Sequence, residues 1–272
     1  MLICCLAPLP GSAPCDIRSM AEFVVRESLS AHQHGASVIL WPEYLWAFCS
    51  DVNTATPALL ESLLSPLKKE KLFVLAGTLQ IVCSEGKAPS NTALILSHGQ
   101  WYLQDKIALA PREASMTSTH AIRLFTINGL RIATLICMDV EMPELGTLLK
   151  QQSVDILLVP FCVEDEEGIR RIAVCAEARS IELGCYTAIC PLLGTPPGNK
   201  AEAIGDIQFF HPAQKAFANV PPPVIERTQI LLTGTCPIDS KALRLARRNW
   251  MESTPSTSFC SGISVKSSDS ES

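Results

Sequence analysis

Three reactive side chains stand where apolar runs of this chain stop. Glu43 follows Val-Ile-Leu-Trp-Pro, Lys106 follows Trp-Tyr-Leu-Gln-Asp, and Cys137 follows Arg-Ile-Ala-Thr-Leu-Ile. In open α/β sheets, ligands bind at the carboxyl ends of strands. A carboxylate, an amine and a thiol meeting at such an edge form a complete covalent catalyst. The thiolate is the nucleophile, and a free thiol titrates near about 8.5, so it needs a base. Glutamate can be that base once burial raises its pKa. Lysine puts fixed positive charge where an oxyanion develops. The backbone N–H of Met138, next to the thiol, can supply a second donor. Taken singly, each residue has a plainer reading: a core thiol, a loop carboxylate, a surface lysine. Spacing does not bring the three together. Thiol hydrolysis is thus one reading of these residues among several.

The elements that must position them are short. Residues 2–6 read as a buried strand. Residues 16–34 read as a helix with Asp16 at its cap, because Ile17, Met20, Ala21, Val24, Val25 and Leu29 fall near helical spacing. Residues 37–41 form an apolar strand that stops at Pro42, and 57–70 a helix with Pro57 near its start. A strand at 72–79 precedes a hairpin, 91–96 and 100–106, around His98-Gly99. Then come a strand at 130–136, a helix at 143–151, a strand at 154–159 ended by Pro160, and a helix at 167–183. Strands follow at 186–190, 206–210 and 230–233, with a last helix at 239–248. The alternation predicts an α/β layered domain, and the hairpin makes its sheets mixed rather than purely parallel.

Composition narrows the class. A chain of 272 residues with 47% hydrophobic and 18% charged residues is not disordered overall. A net charge of -5 leaves no footprint for nucleic acid. The best apolar run, Ile156 to Val163, is too short for a membrane span. Met-Leu-Ile-Cys-Cys-Leu has no positive segment ahead of its apolar stretch and makes a poor signal peptide. Twelve cysteines would allow six disulfides, but many sit inside apolar runs, where a thiol acts as a small core residue. There is no C-x-x-C pair and no histidine at zinc-finger spacing, so no structural zinc site is expected. The expectation is a reducing cytoplasm with mostly inert thiols. The last 22 residues hold nine serines and no apolar periodicity, and read as a flexible tail.

Around the three reactive residues lie four blocks that resemble the nitrilase superfamily of carbon–nitrogen hydrolases. The first is Gly35 to Glu43. The second is Asn91-Thr-Ala-Leu-Ile with Gln104 to Glu113. The third is Ile132 to Glu144, and the fourth is Ala176 to Glu182 with Tyr186 after it. They occur in the family's order. The closest resemblance is to a poorly characterised branch, carried by Gln104-Asp-Lys106, by Cys137-x-Asp-Val-Glu-x-Pro-Glu144 and by Leu158-Val-Pro-x-Cys162. Some members of that branch carry an acetyltransferase domain ahead of the hydrolase. None is expected here, where the first strand begins at Leu2. Met138 departs from the family pattern, which commonly has Tyr or Trp there. So do the Cys4-Cys5 pair and the polar stretch from Glu113 to Ile122.

The resemblance implies a four-layer α-β-β-α sandwich of the nitrilase type, two mixed sheets flanked by helices. It would span residues 1–250, with 251–272 as the serine-rich tail. By matched position, Glu43 is the general base, Lys106 the oxyanion stabiliser, Cys137 the nucleophile, and Glu113 a second glutamate that orients lysine and substrate. Asp139, Glu144 and Arg179 take structural roles, packing and pairing near the site. His98, His120 and His211 are turn or surface residues. The implied reaction is hydrolysis of a small amide, less readily a nitrile, through a thioester, with no metal or organic cofactor. Two other readings stay open: a non-catalytic member that binds a small molecule or partner, and an acyl transferase. Neither nucleic acid nor membrane is an expected partner. A homodimer or higher homo-oligomer is expected, with the helices at 143–151 and 167–183 as candidates for the interface.

Overall fold

The structure is a computed structural model that describes residues 1–82, 88–119 and 121–253. Cys83, His120, Cys260 and the serine-rich stretch from 254 onward lie outside the described residues. Among the described residues, twelve strands and five α-helices make up the fold. The first half contains β1 (Leu2–Pro8), α1 (Ile17–Gln33), β2 (Ala36–Leu40), α2 (Pro57–Leu63), β3 (Phe73–Ile81), β4 (Ser90–Ser97) and β5 (Gln100–Asp105). The second contains β6 (Phe125–Ile127), β7 (Leu130–Thr134), α3 (Pro143–Lys150), β8 (Ile156–Phe161), α4 (Glu166–Leu183), β9 (Tyr186–Pro191), β10 (Gln208–Phe210), β11 (Val224–Arg227), β12 (Leu231–Pro237) and α5 (Ser240–Ser253).

The strands form two mixed sheets. One has seven strands in the order β11-β12-β1-β2-β3-β4-β5, the other five in the order β10-β9-β8-β7-β6. β1-β2-β3 and β7-β8-β9 are parallel, and the outer strands pair antiparallel. Alternation across each strand sorts the core. Ile3, Cys5, Val38, Leu40, Phe73 and Ile95 face the second sheet. Cys4, Leu6, Ile39, Val74 and Leu96 face the other way, onto Met20 and Val24 of α1. On the far side, α4 lays Ile172 and Ala176 against the five-stranded sheet. The result is the expected α-β-β-α layering.

Local chemistry explains the boundaries. The Asp16 side chain accepts from the Ser19 N–H and starts α1. The expected helix over 57–70 is split. α2 ends at Leu63, and Ser65–Lys69 forms a separate 3-10 turn. Pro66 has no N–H, and its ring clashes with the carbonyl four residues back. Pro160 does not end its strand as expected, since β8 runs on to Phe161. Leu158 accepts from Leu135 on the β7 side, and Pro160, two residues on, faces that side after β7 has ended. Its missing donor therefore deprives no neighbour. β6 and β11 were not expected. β6 is joined to β7 through Asn128 (φ 52°) and Gly129 (φ 76°), a pair suited to a two-residue hairpin turn. α5 runs to Ser253, past both the expected helix end at 248 and the expected tail boundary at 251.

Candidate active site

β2 and β7, each in a parallel stretch of its own sheet, deliver Glu43 and Cys137 from their carboxyl ends. Past β2 the chain turns sharply at Tyr44 (φ 57°). The Thr78 hydroxyl accepts from the Tyr44 N–H at 2.9 Å and fixes that turn. β3 makes room for it with a bulge at Gly77 (φ 81°), where a Cβ would come within 2.6 Å of Leu45 Cβ. Only glycine fits both the backbone and the gap. Glu43 is consequently fully buried.

Lys106 leaves β5 with its N–H donating to the Asn91 carbonyl of β4 at 2.8 Å. Its side chain is fully buried, and Nζ donates to Glu43 Oε1 and to Glu113 Oε2, each at 2.8 Å. Glu113 closes a 3-10 turn begun by Pro111 and also accepts from the Ala110 N–H at 2.8 Å. Asn91 completes the ring: its Nδ2 donates to Glu43 Oε1 and Glu113 Oε1, both at 2.8 Å. The Tyr44 hydroxyl donates to Glu113 Oε1 as well. One cation and one amide thus hold two buried carboxylates. Among the described residues, Glu43 Oε2 and Asn91 Oδ1 remain buried without a partner.

Cys137 sits at the elbow after β7 with φ 50°, an uncommon conformation for a residue with a Cβ. Asp139 holds the elbow. Its Oδ2 accepts from the Ile136 N–H, and its Oδ1 from the N–H groups of Ile107 and Ala108 just after Lys106. That carboxylate therefore ties the thiol's loop to the lysine's loop. The Cys137 Sγ lies 3.9 Å from the Cys162 carbonyl oxygen. Among the described residues, the Met138 N–H meets no acceptor in the protein.

Burial raises the Cys137 thiol well above its ordinary pKa. The Glu43 charge adds to the rise, while Lys106 opposes it. Burial pulls Lys106 down, but Glu43, Cys137 and Glu113 more than reverse this, so it stays protonated. Burial pushes Glu113 up, and Lys106 and Tyr44 outweigh it, leaving the carboxyl below its ordinary value. Asp139 is raised to about 6, first by burial, against its three N–H bonds. The thiol at rest is neutral, near Glu43, whose Oε2 has no partner among the described residues.

The structure thus brings Glu43, Lys106 and Glu113 into direct contact, with Cys137 within their electrostatic reach and Met138 beside it. Cys137 and Met138 open onto a cleft of about 500 Å³, walled by Pro111, Arg112, Cys162 and Glu164 among others. Of the residues expected to pack nearby, Asp139 and Arg179 are buried. Arg179 packs against Gly146 of α3, where a Cβ would come within 2.8 Å of its Nε. Glu144 departs from expectation: it is exposed on the first turn of α3, where a carboxylate favours the helix dipole. His98 occupies the β4–β5 turn, and His211 stacks on Phe217 at the surface. Four site residues were given no role from sequence, Tyr44, Asn91, Arg112 and Cys162, although the last three lie inside the family-like segments. Asn91 did carry a signal, as a polar residue entering an otherwise apolar strand.

Residues 11–253 match the carbon-nitrogen hydrolase family. The probable hydrolase YhcX of Bacillus subtilis (strain 168) is 30% identical over 158 residues, 55% of this chain and 30% of that protein. An (R)-stereoselective amidase of Pseudomonas sp. is 27% identical over 156 residues, 54% of this chain and 56% of that protein. The matched stretch thus spans less than two thirds of either relative. Saccharomyces cerevisiae Nit3, a member of branch 10 of the nitrilase superfamily, superposes with a TM-score of 0.73 at 15% identity, covering 93% of this chain and 96% of that one. An amidase from Nesterenkonia sp. superposes at 0.69 with 19% identity, covering 92% and 96%. A mutant of the Nesterenkonia sp. AN1 amidase, showing Michael addition of acrylamide at its active-site cysteine, superposes at 0.70 with 18% identity, covering 92% and 99%. At these identities the superpositions show the shared fold.

Proposed function

This chain belongs to the carbon–nitrogen hydrolase family, and on that premise we propose that it hydrolyses a small non-peptide amide through a thioester on Cys137. The carrying observation is the buried Glu43 carboxylate. One oxygen is held by Lys106 and Asn91, and the other has no partner among the described residues. An unpaired buried acceptor is costly, and here it can be satisfied by the thiol proton. Glu43 Oε2 takes that proton as Cys137 attacks the carbonyl carbon. The developing oxyanion meets Lys106 Nζ and the Met138 N–H. Glu43 returns the proton to the departing nitrogen, the C–N bond breaks, and water activated by the same carboxylate releases the acid. Glu113 orients Lys106 and faces the substrate nitrogen. No step calls for a metal or organic cofactor.

Homodimer formation belongs to the same proposal. Leu148 of α3 and Val174 and Ile181 of α4 are exposed at 47%, 55% and 37%, apolar area that a partner would cover. A reducing cytoplasm suits the ten free thiols among the described residues.

The test is direct. Cys137→Ala should abolish hydrolysis across a panel of amides while the thermal transition stays in place, and incubation of the wild type should leave an acyl adduct on Cys137 by mass spectrometry. Iodoacetamide should label Cys137 far faster than the other thiols. An active Cys137→Ala protein overturns the thioester on Cys137, and uniformly slow labelling with no adduct from any amide overturns the reading in favour of a binding protein.

A further inference from the structure

The cleft holding Cys137 has a neighbour. A second cavity of about 280 Å³ is lined by Tyr44, Glu113 and Met116, and the two share three residues: Arg112, Cys162 and Glu164. Those three form the wall between them. Arg112 is fixed on three sides. One guanidinium nitrogen donates to the Cys162 carbonyl at 2.8 Å and another to Glu164 Oε1 at 3.0 Å. The guanidinium carbon lies 5.8 Å from the centre of the Tyr44 ring. A planar, always charged fork held at so many points is a stiff divider.

The divider falls between the two halves of the reaction. The nucleophile and the Met138 N–H face the larger cleft, while Glu113 and Tyr44 face the smaller cavity. Resting on the proposed thioester mechanism, we infer that the Arg112–Glu164 pair is a specificity determinant that restricts the substrate to primary amides. In acylation the carbonyl carbon gains a bond to sulfur and loses its bond to nitrogen. Nitrogen leaves with the proton carried by Glu43, on the side where Glu113 lies. The acyl group extends into the larger cleft. A substituent on nitrogen must enter the smaller cavity, and the divider stands across that route. Ammonia clears it, whereas an alkylamine does not.

The experiment compares two amides that share an acyl group, one primary and one N-benzyl, in wild type, Arg112→Ala and Glu164→Ala. Both substrates give the same acyl-enzyme, so kcat/KM isolates the acylation step, where they differ. The wild type should favour the primary amide strongly. Both variants should raise the N-benzyl to primary ratio of kcat/KM by about tenfold or more, the scale on which a pocket wall discriminates. A general loss of folding lowers both substrates and leaves the ratio still. The inference is overturned if the wild type takes the two amides equally, or if the ratio stays unchanged in both variants while the primary amide is hydrolysed. Failure of every protein to hydrolyse either amide or to form an adduct on Cys137, with every acyl group of the amide panel, overturns the thioester mechanism itself.

Discussion

Two ion pairs whose basic members, Lys106 and Arg112, lie six residues apart have nearly the same geometry. On the floor of the site, Lys106 meets Glu43 at 2.8 Å with both side chains fully buried. On the rim, Arg112 meets Glu164 at 3.0 Å with side chains 39% and 38% exposed. Distance does not separate them; solvent does. The floor pair has given up its hydration, and its attraction is weakly screened. The rim pair keeps much of its hydration and gains little in free energy. The floor can thus hold a proton balance, whereas the rim serves as a shaped wall whose charges matter mainly for geometry.

Removing the floor's cation tests this contrast hardest. Lys106→Met leaves two carboxylates facing each other in the core. Hydrolysis should be abolished, and stability should fall by about 3–5 kcal/mol in denaturant titration, the cost of breaking a buried pair from one side. A loss no larger than that of a rim variant would erase the distinction. Asn91→Ala comes next. Its amide donates to both glutamates and holds them in register. Its loss should lower kcat about a hundredfold through misplacement, with Asn91→Gln or Asn91→Asp restoring less than a tenth of it. A kcat within a few-fold of wild type would reduce Asn91 to a packing role.

The floor should also be visible in stability against pH. The folded Glu113 pKa lies below its ordinary value of 4.5, so the folded state binds its proton less readily than the unfolded chain. Its contribution is complete above about pH 4.5 and is lost as pH falls through the depressed folded value. The stability difference between wild type and Glu113→Gln should therefore be flat above that pH and shrink below it, as read from urea midpoints. A difference that grows on acidification would reverse the sign of the shift.

The floor was more legible than the rim for a physical reason. Glu43, Lys106 and Cys137 each interrupt an apolar run at a strand end, and strand ends are where a sheet presents ligands. Glu113 was reached only through family resemblance, since nothing in a polar loop after Pro111 announces full burial. Arg112 and Glu164 lie 52 residues apart in separate loops, and no periodicity links loops. Two fold elements were misread because partners decide them. Pro160 continues its strand because the neighbouring strand has already ended. Phe-Thr-Ile at 125–127 becomes a strand only through its hairpin with β7, although Asn128-Gly129 marks that turn in the sequence.

The smallest expected effect sharpens the comparison most. Glu164→Gln keeps the size of the rim side chain and removes its charge. Unfolding free energy should fall by no more than about 1 kcal/mol, and this deficit should shrink between 0.01 M and 1 M salt as screening lengths contract from about 30 Å to about 3 Å. The Lys106→Met deficit, by contrast, should hardly respond to salt, because ions do not reach a fully buried pair. Parallel salt dependences would mean that both pairs sense the same solvent, and the floor could not then be the dry site that the proposed proton transfer between Glu43 and Cys137 requires.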